Sequence, residues 1–140
     1  MKKIILPFLV LLPILLSGQE QEQSAPDHYI FSIYFGGGSY YIDGEQEKAL
    51  YLWLQSIPNV EQYAITVHSH TDDIGSQEYN ARLSQLRSEA AIHRLLKKGI
   101  PNDHISIEDF GELNPVYDNN TWEGKLKNRR VDIIIKPIFI

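Results

Sequence analysis

Apolar and polar residues alternate in four short segments of the chain, and each segment predicts a β-strand. An alternation of period two places every second side chain on the same face of a sheet, so each strand would bury one side. Turn-forming residues, Gly36-Gly37-Gly38, end the first of these segments. The four predicted strands lie within residues 29–35, 63–70, 105–107 and 131–135.

Two segments between these strands have the spacing of amphipathic helices. Asp43 followed by Gln46 resembles a capping box, and Pro58-Asn59 would end the helix that begins there. Ser76 is a favourable N-cap for a longer helix that continues to Lys98. The apolar faces predicted for the two helices are Leu50, Trp53, Leu54 and Ile57 in the first, and Tyr79, Leu83, Leu86 and Ala90 in the second.

The order of these elements is β-α-β-α-β, and a long connection then leads to the fourth strand. The connection runs from Gly111 to Lys127, is rich in Asn, Pro and Gly, and is expected to contain a helical turn near Trp122. Helices that alternate with strands imply parallel neighbours joined by crossovers. The pattern therefore predicts an α+β protein built as a two-layer α/β sandwich.

Residues 1–18 have the layout of a secretory signal peptide. Lys2 and Lys3 precede an apolar run from Ile4 to Leu16, and small residues then lead into a polar stretch. The run is shorter than the roughly 20 residues that span a bilayer, although an uncleaved anchor is the alternative. We expect a signal peptide at 1–18, a flexible lead-in at 19–27, one domain at 28–140, and a mature chain without a transmembrane span.

Composition narrows the classes of function. The chain of 140 residues carries a formal net charge of -5, which disfavours nucleic acid as a partner. It contains no cysteine, so a disulfide framework, a thiolate metal site and a cysteine nucleophile are excluded. We expect no cofactor.

A series of short motifs runs through residues 70–131. The motifs are His70-Thr71-Asp72, Gly75, Tyr79-Asn80, Leu83-Ser84, Arg87, Gly99-Ile100, Gly111-Glu112, Pro115, Asn119 to Thr121, Glu123-Gly124 and Asn128-Arg129-Arg130-Val131. In this order and at these spacings they resemble the OmpA-like peptidoglycan-binding family. The resemblance implies an OmpA-like fold with a mixed sheet and two main helices.

The resemblance also implies a ligand and a set of residues that bind it. The ligand would be the diaminopimelate of the peptidoglycan stem peptide, bound without chemical change. The protein would then be exported to the periplasm or the outer membrane, where it would anchor or stabilise the cell envelope, with an envelope protein as a further partner. The residues carried over from the family motifs are Asp72, Asn80, Leu83, Arg87 and Arg130.

The chemistry of diaminopimelate suits these residue types. The ligand presents an ammonium and a carboxylate on one carbon, so its receptor needs an anion close to a cation. Asp72 can accept from the ammonium, and Arg87 can bind the carboxylate with a two-pronged guanidinium. Asn80 and Arg87 are two helical turns apart on one face.

Two departures from the family pattern concern the ligand pocket. Gly36-Gly37-Gly38 stands where the family has an acidic-aromatic stretch, and Glu123-Gly124-Lys125 stands where it has Glu-Gly-Arg. The first departure is expected to reshape the rim of the pocket.

Alternatives to a binding module are a cell-wall hydrolase and an interaction domain that has kept the fold but lost the ligand. Catalysis is disfavoured because Ser84 has no evident base beside it in the pattern. His68 and His70 would point to one face of a strand, but a metal site there needs a third converging ligand. We therefore expect neither catalytic residues nor a metal.

Overall fold

The computed structural model describes residues 28–138. The expected signal peptide at 1–18 and the lead-in at 19–27 lie outside the described residues. No helix within residues 28–138 is both long enough and apolar enough to cross a bilayer.

The described part of the chain forms four strands and three helices in the order that the sequence pattern predicts. Two single turns of 3-10 helix, at Val60–Gln62 and Asn102–His104, precede the second and third strands. The short third helix is the helical turn predicted near Trp122. The elements are β1 (Tyr29–Tyr34), α1 (Gly44–Ser56), β2 (Tyr63–His70), α2 (Gln77–Lys97), β3 (Ile105–Gly111), α3 (Trp122–Asn128) and β4 (Arg130–Pro137).

The strands form one mixed sheet in the order β1-β4-β2-β3. β4 is antiparallel to both of its neighbours, and β2 and β3 are parallel. The expectation of parallel neighbours is therefore correct only for β2 and β3. β1 and β2 do run in the same direction, but β4 lies between them and bonds to both, so Ile133 is opposite Phe31 on one side and Val67 on the other.

The core lies between the sheet and helices α1 and α2. Val131, Ile133 and Ile135 of β4 have no exposed surface, and Leu50 and Leu54 of α1 are buried with them. Trp53, predicted for the same face of α1, is half-buried and packs on Phe31, with the ring centroids 5.2 Å apart. Asp43 caps α1 as the pattern indicates, because its carboxylate accepts from the backbone N–H of Gln46.

The apolar face predicted for α2 is displaced from the face that the helix buries. Tyr79 is half exposed, whereas the buried residues of α2 are Asn80, Leu83, Ser84, Arg87, Ser88, Ala91 and Leu95. Most of this buried face is polar, and its two serines have partners on β3. The Ser84 hydroxyl accepts from the Gly111 N–H at 3.2 Å, and the Ser88 hydroxyl donates to Asp109. A polar group that forms hydrogen bonds can be buried with little loss of stability. The spacing of apolar residues therefore does not identify such a buried face.

Neighbouring residues of β4 provide a test of the strand's orientation. We expect Ile133→Ala to lower the free energy of unfolding by about 2–5 kcal/mol, because it empties a fully buried site. Ile134 is the next residue and lies on the other face of the sheet, so Ile134→Ala is expected to lower the free energy of unfolding much less. Urea unfolding of both variants measures the difference, and equal losses would contradict this orientation.

Candidate functional site

A cavity of about 170 Å³ opens where β2 ends and α2 begins. The loop after β1 forms a second wall, and the residue that precedes β4 closes a third side. Four of the five residues predicted for the site line it together. Its lining residues are Gly37, Gly38, Asp72, Ile74, Gly75, Tyr79, Asn80, Leu83, Arg87 and Arg129.

Asp72 lies in the turn between β2 and α2 and is only 6% exposed. One carboxylate oxygen accepts from the backbone N–H of Ile74 at 3.2 Å, as Asp commonly does in turns. The other accepts from Nε of Arg129 at 2.6 Å. The carboxylate is therefore fixed in position and compensated by a neighbouring cation, while the side chain still faces the cavity.

Arg87 is fully buried in the middle of α2. Its guanidinium donates to three backbone carbonyls: Nε to Ser39 at 2.9 Å, one terminal nitrogen to His70 at 2.9 Å, and the other to Gly36 at 3.1 Å. It also lies 4.9 Å from the ring centroid of Phe35. A guanidinium has five N–H donors, so two donors of Arg87 are not used in these three bonds. Arg87 is also one of the residues that line the cavity.

The charge on Arg87 persists at neutral pH in spite of its burial. Burial, reinforced by the Arg129 cation and opposed by the Asp72 carboxylate, lowers the pKa of Arg87 to about 10. The side chain is thus a cation in the wall of the cavity, held by three hydrogen bonds.

Arg129 is the second cation in the wall. Its guanidinium binds Asp72 on one side and lies over the ring of Trp122, 4.9 Å from the ring centroid. Gly37 approaches it closely, since a Cβ on that glycine would stand 3.4 Å from the guanidinium carbon. Two guanidiniums and one carboxylate therefore face the cavity, which favours a ligand with at least one free carboxylate.

Asn80 supplies a carbonyl oxygen that lacks a partner among residues 28–138. Its amide nitrogen donates to Glu112 at 2.7 Å, and this bond fixes the orientation of the amide. Its carbonyl oxygen is buried and accepts no hydrogen bond within the described residues. A buried acceptor without a donor is unfavourable unless a ligand or water supplies one, so this atom is suited to an ammonium or N–H of a ligand.

The rim of the cavity is formed by the glycine turn and the ring of Tyr79. Gly38 has a φ of +65°, and Gly75 has a φ of +104°. A Cβ at either position would stand 3.0 Å from an atom of Tyr79. Gly36-Gly37-Gly38 stands where the family has an acidic-aromatic stretch. Because Gly38 has no side chain, its backbone lies close to the Tyr79 ring at the rim of the cavity. Tyr79, expected in the core, is half exposed here, while Leu83 is 5% exposed and lines the cavity.

Arg130, the fifth predicted site residue, is not among the residues that line the cavity. Its Nε donates to both oxygens of Asp132, at 3.2 and 3.0 Å, and its guanidinium lies 5.3 Å from the ring centroid of Tyr117. Residues two apart in a strand lie on the same face, which explains why Arg129 lines the cavity and Arg130 does not. Arg129 is two residues before the inward residue Val131, whereas Arg130 is two residues before Asp132. This parity is the signal that identifies Arg129 from the sequence, whereas Trp122 carries no comparable signal.

The histidine pair of β2 forms a different cluster. His70 stacks on Phe110 with ring centroids 5.0 Å apart, and His68 meets the same ring edge-on at 5.4 Å. Across residues 28–138, no three His, Asp or Glu side chains are grouped as a metal site requires. Burial, reinforced by the Arg130 cation and opposed by the Asp132 carboxylate, lowers the pKa of His70 to about 4.

Comparison with known proteins identifies a matching family. Residues 34–129 match the model of the OmpA family. The chain is 37% identical over 75 residues to the probable lipoprotein YiaD of Escherichia coli, and 38% identical over 71 residues to the peptidoglycan-binding protein ArfA of Mycobacterium tuberculosis. These matches cover 54% and 51% of this chain, but only 34% and 22% of the two relatives, so the chain spans about a third or less of their length.

Two solved structures share the fold. The peptidoglycan-associated lipoprotein of Burkholderia pseudomallei superposes with a TM-score of 0.68 and 28% identity, over 75% of this chain and 89% of that one. The cell wall anchor of the T6SS from Pseudomonas aeruginosa superposes with a TM-score of 0.61 and 26% identity, over 81% and 84%. The expected α+β fold with a mixed sheet is confirmed.

Replacing Arg87 with lysine is expected to destabilise the fold. The amine keeps the charge but cannot reach all three carbonyls, and each buried carbonyl without a donor costs about 1–3 kcal/mol. Urea unfolding of Arg87→Lys should therefore show a loss of at least about 2 kcal/mol. Arg82→Lys is the matched control, because Arg82 is exposed on the same helix. If both variants unfold like the wild type, the three bonds do not stabilise the loop.

The low pKa of His70 predicts a dependence of stability on pH. The folded state disfavours the imidazolium, so the contribution of His70 is complete above its ordinary value of 6.5 and is lost as pH falls towards about 4. We expect the urea midpoint to fall less steeply over this window in His70→Gln than in the wild type. His93→Gln, at an exposed position, should keep the wild-type slope. Identical slopes for all three proteins would contradict the role of His70.

Proposed function

This chain belongs to the OmpA family, and from that premise we propose that it binds peptidoglycan without chemical change and thereby attaches to the cell wall. The proposal depends on one observation: two guanidiniums, a carboxylate and an amide oxygen line a single cavity, and that amide oxygen has no partner in the described part of the chain. ArfA is named as a peptidoglycan-binding protein, and the T6SS structure is described as a cell wall anchor. These relatives support the same activity for the shared domain.

The diaminopimelate of the stem peptide is the ligand that we propose for the cavity. Its free carboxylate would accept from the remaining N–H groups of Arg87 and from Arg129. Its ammonium would donate to the Asn80 oxygen and to Asp72. The aliphatic part of the side chain would contact Leu83. In this proposal Arg129 takes the position that the family motif assigned to Arg130.

The strength of such binding is set by its few contacts. A hydrogen bond between charged groups contributes roughly 1.5–3 kcal/mol. Three or four of them, after the cost of ordering the ligand, give an affinity in the micromolar range, near -8 kcal/mol. A domain that binds with this affinity can dissociate from one stem peptide and bind another. Such binding suits a polymer that presents many copies of the ligand.

We propose further that the protein is exported and acts in the periplasm or at the outer membrane. Peptidoglycan lies in that compartment, and the layout of residues 1–18 supports export. We place the domain at residues 28–140 and the polar lead-in at 19–27. An envelope protein is proposed as an additional partner.

The test of the site uses a pair of neighbouring aspartates. Asp72→Asn keeps the shape of the side chain but removes the charge that faces the ammonium. We expect it to weaken binding of a diaminopimelate tripeptide at least about tenfold. Asp73→Asn, in the same turn but outside the cavity lining, is expected to bind like the wild type. Isothermal titration measures both, and circular dichroism verifies that both are folded.

Changing the ligand completes this experiment. Amidation of the free carboxylate should weaken binding to the wild type, because the guanidiniums then lose their anion. If the amidated and free ligands titrate alike, the assignment of the carboxylate to Arg87 and Arg129 is wrong. Release of muropeptides from sacculi would favour the hydrolase, and recovery of a protein partner without any ligand binding would favour an interaction domain.

A further inference from the structure

A second cavity lies beside the first, on the outer face of α2. It measures about 340 Å³ and is formed between the segment after Ser39 and the middle of the helix. This groove is defined by its lining residues, which are Tyr40, Tyr41, Ile42, Leu86, Glu89, Ala90, His93 and Arg94.

The groove combines exposed aromatic rings with polar groups at the edge. Tyr40 is 51% exposed and Tyr41 is 71% exposed, which is high for large aromatic side chains. Ile42 and Ala90 add apolar surface to the lining, whereas Glu89 and His93 are exposed and polar. A pyranose ring has the complementary chemistry, since its C–H faces pack on aromatic rings and its hydroxyl and acetamido groups form hydrogen bonds at its edge.

The charges in the groove are largely compensated by partners. Arg94 forms an ion pair with Glu47 at 3.4 Å, and Glu89 lies 3.9 Å from Arg82. A groove with paired charges favours a neutral, hydroxyl-rich ligand over a free ion. This distinguishes it from the first cavity, in which two guanidiniums face one carboxylate.

One loop separates the groove from the proposed diaminopimelate site. Gly37 and Gly38 line the first cavity, and Tyr40 and Tyr41 line the groove. Arg87 fixes the loop between them through the carbonyls of Gly36 and Ser39. The two cavities are thus lined by consecutive parts of a single tethered segment.

The offset of the two cavities along α2 is compatible with the covalent structure of peptidoglycan. Their lining residues on α2 are centred about eight residues apart, or ~12 Å along the helix at 1.5 Å per residue. Diaminopimelate is the third residue of a stem peptide, and three extended residues reach up to ~10 Å, to which the ligand's own side chain adds length. A sugar can therefore occupy the groove while its stem peptide enters the first cavity.

From this arrangement we infer that the groove is a glycan subsite, which binds an amino sugar of the same strand whose stem peptide occupies the diaminopimelate site. The inference rests on the proposed function and extends it from the peptide to the polysaccharide. Tyr40 and Tyr41 provide the stacking surface, and Glu89 and His93 bind the polar edge of the sugar.

The experiment compares two probes on the same protein. One is the tripeptide that ends in diaminopimelate, and the other is the same tripeptide attached to its N-acetylglucosamine–N-acetylmuramic acid disaccharide. We expect the wild type to bind the disaccharide form roughly tenfold more tightly. A double variant, Tyr40→Ala with Tyr41→Ala, should lose this difference while it binds the tripeptide unchanged.

Two further variants control for the rings and for the fold. Tyr40→Phe with Tyr41→Phe keeps both rings and should retain most of the preference for the disaccharide form. Leu52→Ala, at an exposed position on α1 outside the groove, should behave as the wild type. Circular dichroism of each variant excludes loss of folding as the cause of weaker binding.

The outcomes separate the inference from the function on which it rests. Equal affinity of the wild type for the two probes, with the tripeptide bound, overturns the glycan subsite and leaves the proposed function intact. Persistence of the preference in the double alanine variant also overturns it. If neither probe binds, the proposed function fails and the glycan subsite fails with it.

Discussion

The structure around the candidate site depends on one buried cation. Arg87 has no exposed surface, and its three hydrogen bonds join α2 to the carbonyls of Gly36, Ser39 and His70. A buried guanidinium is unfavourable unless its donors are satisfied, so the carbonyls must converge on it. The glycine turn, the end of β2 and the helix are consequently held in one arrangement. A residue that the family resemblance assigns to ligand binding is therefore also a structural element of its own pocket.

The sequence predicts most of the fold because the signals for it are local. Alternation identifies the four strands, and Asp43 and Ser76 mark the starts of the two long helices. The position of β4 between β1 and β2 is a contact between distant parts of the chain, which no local pattern encodes. The buried face of α2 is missed for a different reason: its inward residues include Asn80, Ser84 and Ser88, whose burial depends on partners elsewhere in the fold.

The candidate site was predictable to the extent that motifs encode it. Asp72, Asn80, Leu83 and Arg87 come from motifs of the turn and helix, and the structure brings all four to one cavity. Arg129 was missed because two adjacent arginines carry the same chemistry, and only the strand parity distinguishes them. The three bonds from Arg87 to backbone were beyond prediction, since carbonyl positions depend on the tertiary fold.

The location of β4 has a consequence for how the chain matures. The strand that occupies the middle of the sheet comes after β1, β2 and β3 along the chain. Until it arrives, β1 and β2 have no shared partner, and the sheet cannot assemble across the gap. Contacts between distant segments make folding slow. The four-stranded sheet is therefore completed only after nearly all of the domain has emerged from the ribosome, and a domain that is not yet fully folded is the form that a membrane translocation pore can accept.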